Sequence, residues 1–337
     1  MQAKRSLRKN LKSSKMKRTL LILGLAVIGV TIIFAACSKD VDTNNGNETE
    51  NKWIQKANYQ GAYFTGDVVF SINGKIYTGI TSPISKELWE YDPATNKWAE
   101  KKIFPGNANI YTCFVAGNSA YILDGEFDYG SIKWIYKTWE YNPITDNWVQ
   151  KANSPISTPN YQSCFSFGIN NKGYVGSISG TFYEYNPETN SWKECANSGT
   201  YSNTEHGGMA VTSTEQNGCI IGGTIYRYIS GNIHTWNTGS VYMYNPITDK
   251  WTGKAEFPMA IERGMAFCRN GVIYAGLGYA DNNVINNKIY KYDSENNSWS
   301  FAMEVSGKRQ PAFIIMCNGK LYVGGLNGNV DFWEYGF

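Results

Sequence analysis

Hydrophobic and polar positions divide the chain into three stretches. Leu20 to Phe34 is an unbroken run of apolar or small residues, preceded by Lys17 and Arg18. Residues 38–52 hold one aliphatic residue, Val41, and no aromatic, so they build no core and read as a flexible polar spacer. From Trp53 onward, runs rich in β-branched and aromatic residues alternate with Asn, Gly and Pro, the pattern of many short strands.

Within the third stretch one unit recurs: aromatic, any residue, Tyr, Asp or Asn, Pro, any residue, Thr, two more, Trp. It runs through Tyr91 to Trp98, Tyr141 to Trp148, Tyr185 to Trp192 and Tyr244 to Trp251, with a fifth copy from Tyr292 to Trp299 that has Ser294 in place of Pro. The Asp/Asn-Pro-x-Thr segment is a turn with a side-chain acceptor and a fixed φ. Ahead of each copy stands a hairpin signal, an Asn-Gly pair at Asn73, Asn217, Asn270 and Asn318 and weaker equivalents at Gly117-Asn118 and Asn170-Asn171. The two ends of the stretch complete a sixth unit: Asn51-Lys52-Trp53 is a back half without a front, and Phe332-Trp333-Glu334-Tyr335 a front half without a back. A ring requires that complementarity; a linear solenoid does not.

These units resemble the kelch repeat, with small residues after the second strand (Gly222-Gly223, Gly324-Gly325), then Tyr, then Trp, at roughly 50 residues per unit. The resemblance covers residues 53–337 and implies an all-β, six-bladed kelch-type β-propeller. Each blade would be a four-stranded antiparallel sheet, and the N-terminal strand around Trp53 would close the last one.

The preceding 52 residues read as an address. Phe34-Ala35-Ala36-Cys37 resembles a bacterial lipoprotein cleavage box, which implies that residues 1–36 are a signal peptide, that Cys37 is lipidated, and that residues 37–52 form the tether. The apolar run falls short of the ~20 residues that span a bilayer comfortably. Met16 is the more typical start for such a leader. The acidic, polar stretch after Cys37 also looks like lipoproteins of Bacteroidetes-type bacteria, which places the chain in the envelope, at the outer membrane and facing either the periplasm or the surface. The membrane is then a partner through the lipid alone.

Charge changes the picture of partners. The formal net charge is +3, but residues 1–36 contribute eight Lys and Arg and no acid, so the remainder is acidic and a nucleic-acid partner is excluded. Two histidines and no C-x-x-C spacing point to no metal and no cofactor.

Subtracting the repeat isolates the residues left for function. Of eleven tryptophans, only Trp134 and Trp236 fall outside it, in the two longest insertions between second and third strands, residues 126–137 and 224–240. Tyr129, Tyr136, Arg227 and His234 accompany them. In kelch-like propellers these loops share a ligand-binding face, so a glycan or protein ligand is expected on Trp134, Trp236, Tyr129, Tyr136 and Arg227. The same rings could instead fold onto the propeller. Charged pairs at the starts of the inner strands (Glu205-His206, Glu262-Arg263, Lys308-Arg309) would sit near the axis, where Arg263 and Arg309 suit a carboxylate or a hydroxyl-rich ligand.

A non-catalytic binding module is therefore the leading expectation. The alternative is a sialic-acid mutarotase/epimerase-like enzyme, another use of six kelch blades, with Glu262, Arg263, Glu205 and His206 as acid/base candidates. A copper-radical oxidase that looks like galactose oxidase needs a Tyr-His ligand pair. His206 follows Glu205 and His234 follows Ile233, so the chain lacks it.

Overall fold

The computed structural model describes residues 53–156, 164–177, 180–197, 205–229, 232–305, 310–326 and 330–337. The repeat becomes six antiparallel four-stranded sheets. Blade 1 comprises Val69–Ile72, Lys75–Thr78, Leu88–Asp92 and Lys97–Lys101. Blades 2, 3, 4 and 5 repeat this order, with innermost strands Ile110–Ala116, Cys164–Ile169, Ala210–Ser213 and Met265–Arg269. Blade 6 has Phe313–Cys317, Lys320–Gly324 and Phe332–Tyr335, and its outermost strand is Trp53–Gln55, paired Trp53 with Tyr335. Each innermost strand neighbours the next in chain order, and that of blade 6 neighbours that of blade 1. The ring closes as a six-bladed β-propeller.

Local chemistry explains the hairpins. A two-residue turn that matches strand twist needs positive φ at both centres. Asn73-Gly74 (+53°, +71°), Asn270-Gly271 (+50°, +78°) and Asn318-Gly319 (+50°, +71°) supply it, as does Asn170-Asn171. Asn217-Gly218 differs from expectation. The turn there lies at Thr214–Asn217, closed by the Thr214 N–H to the Asn217 carbonyl, and Gly218 enters the ladder opposite Ser213. Only glycine fits at that ladder position, because a Cβ would stand 2.1 Å from the Phe167 ring of the preceding blade.

The core is six wedges, one at each blade interface. A second-strand Tyr stacks on an inner-strand Phe of its own blade: Phe70 with Tyr77 at 5.0 Å, Phe114 with Tyr121 at 5.2 Å. It also meets the motif Tyr of the next blade, Tyr77 with Tyr141 at 5.9 Å and Tyr121 with Tyr185 at 5.2 Å. Rings so buried each contribute about 1.5–3 kcal/mol. Four second-strand tyrosines donate to a third-strand Glu (Tyr77 to Glu90, Tyr121 to Glu140, Tyr174 to Glu184, Tyr322 to Glu334), so their hydroxyls are not stranded in the core.

A second device joins blade to blade. Asn96, Asp146, Asn190, Asp249 and Asn297 stand two residues before the motif Trp, with φ between +47° and +54°, a conformation Asn and Asp tolerate best. Each Oδ1 accepts the hydroxyl of its motif Tyr at 2.6–2.9 Å. It also accepts the backbone N–H of Ala57, Lys102, Ala152, Ala196 or Ala255, the segment entering from the preceding blade, at 2.9–3.0 Å. The motif Trp indole N–H donates to the carbonyl of that same residue at 2.8–3.2 Å. Both polar groups of one incoming peptide residue are thus held. The Asp/Asn before Pro or Ser forms the expected side-chain turn, accepting the N–H two residues on.

Candidate functional site

Backbone hydrogen bonds define one face of the ring. In blades 6, 1, 2, 4 and 5 the segment leaving the blade runs along its connection between second and third strands: Tyr59 donates to Val330, Phe104 to Lys86, Ser154 to Tyr136, Phe257 to Gly239, and Val305 to Asn287. Among the described residues, three connections rise into arms. In blade 2 the strands Ser119–Asp128 and Lys133–Asn142 continue their own ladder to Asp128–Lys133. In blade 4, Thr224–Ile229 and Asn232–Asn237 form a hairpin to which Glu205–Gly207 adds a third strand. Blade 5 carries a smaller pair, Tyr279–Ala280 with Val284–Ile285.

The blade 2 arm is an aromatic ladder rooted in the core. Tyr136, expected among the ligand-facing aromatics, is instead buried, packed edge-on to buried Tyr111 at 4.8 Å. Its side of the strand faces the blade 3 wedge. Trp134 stands above, 6.3 Å from Tyr111 and 5.5 Å from its cross-strand neighbour Phe127, with 40% of its surface exposed. Phe127 meets Tyr129 at 5.0 Å, and Tyr129 is 86% exposed. Asp128 fixes the turn by accepting the Gly130 N–H (2.9 Å) and the Ser131 hydroxyl (2.6 Å), bonds that hold its carboxyl below the usual aspartate range. Glu126 and Lys137 pair across the arm.

On the blade 4 arm Trp236 is 42% exposed and His234 is exposed. Arg227 lies opposite His234 in register, and Tyr226 opposite Glu205. Glu205 and His206 therefore belong to this arm's sheet and not to the inner strand, which begins at Ala210. The side chains of Glu205, His206 and Arg227 lie outside the described residues, as do Arg309 and Cys37 altogether.

Glu262 and Arg263 sit just before the inner strand of blade 5. Glu262 exchanges both backbone bonds with Tyr279 at 2.8 Å, and the Arg263 N–H donates to Gly208 at 2.7 Å, next to the blade 4 arm. Arg263 is left-handed, with φ +52°, and a Cβ at Gly278 would meet the Glu262 carbonyl at 2.4 Å. Its side chain is two-thirds exposed and its Nε lies 3.5 Å from Glu262 Oε1. An exposed pair of this kind contributes about 0–1 kcal/mol, so stability does not explain why arginine occupies a strained position. Arg263→Gly should raise stability by about 1 kcal/mol by relieving that conformation, read as a higher denaturation midpoint; a lower midpoint would assign Arg263 a packing role.

No protein-family model matches the chain, and no curated protein matches it. Among solved structures it is similar to YjhT, with a TM-score of 0.61 at 15% identity, covering 81% of this chain and 94% of that one. The likeness is one of fold. The chemistry of the arms and of Arg263 rests on this chain's own residues.

Proposed function

We propose that the chain is an envelope-anchored, non-catalytic binding module of the kelch type that recognises a glycan or protein through its loop face. One observation supports this above others: the largest departures from the repeat, the blade 2 and blade 4 arms, rise from one face and expose Trp134, Tyr129 and Trp236. Tryptophans and tyrosines that the fold does not consume are suited to binding. Recognition is tested with the full chain on a glycan array and in envelope extract. Trp134→Ala with Trp236→Ala should weaken retention about tenfold or more, the effect of losing more than ~1.4 kcal/mol. Ile144→Ala, in a turn between third and fourth strands, should not. Retention equal in all forms, or absent in all, overturns the reading. Anchoring through Cys37 is tested by incorporation of a fatty-acid analogue in cells, expected in the natural chain and lost in Cys37→Ala; label independent of Cys37 overturns it.

The strained Arg263 beside Glu262 favours a second reading, a sugar-acid mutarotase or epimerase-like enzyme in which Glu262 moves the proton and Arg263 holds the carboxylate. Accelerated anomer exchange by NMR, abolished in Glu262→Ala, would establish it, and no acceleration would remove it.

A further inference from the structure

Past its blade, the blade 2 arm stands on its own ladder. The Gly125 N–H bonds the Asn109 carbonyl on one edge, and the Ser154 N–H bonds the Tyr136 carbonyl on the other. Beyond those bonds residues 126–128 pair with residues 133–135, and among the described residues no third strand joins them. Three residues at about 3.3 Å each lift the tip roughly 10 Å past the last bonds to the ring.

That tip is apolar where a solvated turn would be polar. Tyr129 is 86% exposed, Ile132 77% and Trp134 40%. Ile132 is also left-handed, with φ +54°. A β-branched side chain is an outlier there, and Asn or Gly would take the position with less strain. The turn does not need isoleucine, because Asp128 already fixes it through Gly130 and Ser131. Strain that the fold does not use points to function.

We infer that the tip of the blade 2 arm is a knob that inserts Ile132 and Tyr129, backed by Trp134, into an uncharged apolar cleft on a protein partner. This rests on the loop-face binding reading and names the partner's chemistry for it.

Shape, charge and area favour that occupant. The arm is convex, so the partner supplies the concavity; a sugar or other small ligand is taken up in a concave site, and a branched aliphatic side chain gives it no flat face to stack on. The charges are already matched: Glu126 pairs with Lys137, Asp128 is bonded into its own turn, and Lys133 offsets it. The arm therefore lacks the basic surplus that draws a segment to an anionic bilayer. The closing strand points the same way. It runs from Trp53, opposite Tyr335, toward Tyr59, which bonds Val330 on the loop face, so an anchor ahead of Trp53 attaches on the side away from the arms. The three exposed side chains offer roughly 400 Å², the size at which a patch on a monomer marks an interaction site and about half of one partner's share of a stable interface. Ile84, 60% exposed, extends the patch from the blade 1 connection, whose Ser82 Oγ accepts the Ile110 N–H at the foot of the arm. The knob is also pre-organised, with Trp134 held edge-on between Phe127 and Tyr111, so insertion costs little ordering.

The test starts in cells, with the full chain carrying a photo-reactive phenylalanine analogue in place of Tyr129 or, in a turn between third and fourth strands, of Ile247. One protein should crosslink from position 129 and not from 247. That protein, purified, is then titrated by calorimetry with the natural chain and its variants. Ile132→Asn keeps the left-handed turn and removes the aliphatic tip. It should weaken binding about tenfold or more while the denaturation midpoint holds or rises, whereas a structural role would lower both. Trp134→Ala should weaken binding to a similar extent, and affinity should change less than about twofold between low and high salt. Phospholipid vesicles, neutral oligosaccharides and self-association by sedimentation are measured alongside. A signal in any of these that Ile132→Asn abolishes assigns the arm another occupant and overturns the inference, as does the lack of a crosslink from position 129 or a steep salt dependence. If only Trp236→Ala weakens binding, the knob falls and the loop-face reading stands. If no arm variant alters any binding, both fall.

Discussion

Replacing Asp249 by Ala should destabilise the propeller by about 3 kcal/mol, while Asp249→Asn should cost about 1 kcal/mol or less. Asp249 Oδ1 accepts the Tyr244 hydroxyl at 2.8 Å and the Ala196 N–H at 2.9 Å, joining blade 4 to the chain that enters from blade 3. Hydrogen bonds to a charged acceptor contribute roughly 1.5–3 kcal/mol each, and partial exposure reduces that. Alanine would also have to adopt φ near +49°, at roughly 1 kcal/mol. Asparagine keeps both the acceptor and the tolerance of that conformation, and it occupies the same place at residues 96, 190 and 297. The midpoint and slope of urea unfolding decide the matter. A loss in Asp249→Asn as large as in Asp249→Ala would mean that the carboxylate charge, and not the shared acceptor, holds the blades together.

That clamp also shows where the sequence could be read and where it could not. The motif Tyr and Trp, the turn between them and the closure of Trp53 against Tyr335 were all visible, because each repeats at fixed spacing or completes a missing half. The Asn or Asp two places before each Trp passed as an unspecified position, although it recurs in every complete copy. Its function is to catch a peptide 38 to 53 residues earlier, and local patterning carries no information about that partner. The same distinction holds on the loop face. Residues 126–137 and 224–240 stood out as insertions, yet whether an insertion folds back or stands up depends on which backbone it pairs with. In blade 2 it prolongs the blade's own ladder, so Tyr136 and Trp134, two residues apart, share one face of the strand, and Tyr136 is covered by the wedge while Trp134, further along the arm, stays partly exposed. In blade 4 it recruits Glu205–Gly207, about 20 residues away in sequence, which moves Glu205 and His206 from the inner strand to an arm.

Glu334→Ala should cost about 3 kcal/mol or more and should act first at the seam of the ring. Glu334 is buried on the third strand of blade 6. It accepts the Tyr322 hydroxyl at 2.6 Å and Lys320 at 2.7 Å, and it pairs with Lys56 at 3.4 Å, just beyond the closing strand. Removing one member of a buried pair strands the others, at about 3–5 kcal/mol, although the half-exposed Lys320 can rehydrate. Because Lys56 follows Trp53–Gln55, hydrogen exchange should quicken at that strand before it does in blades 2–4. The pH dependence has a definite sign. Burial pushes the Glu334 pKa up, but the bonds from Lys320 and Tyr322 and the charge of Lys56 outweigh it, leaving the carboxyl below its ordinary 4.5. Glu90 and Glu140 are lowered in the same way, burial being outweighed by Lys75 and Tyr77 for one and by Lys151 and Ser119 for the other. An acid whose folded pKa is depressed stabilises above its unfolded pKa and loses that contribution as pH falls through the folded value. Denaturation midpoints of the natural chain should therefore drop as pH falls below about 4.5, and Glu334→Gln, lacking one of these depressed carboxyls, should drop less over the same window. Parallel pH profiles for the two proteins, or uniform exchange across all blades in Glu334→Ala, would show that the seam does not depend on this carboxylate.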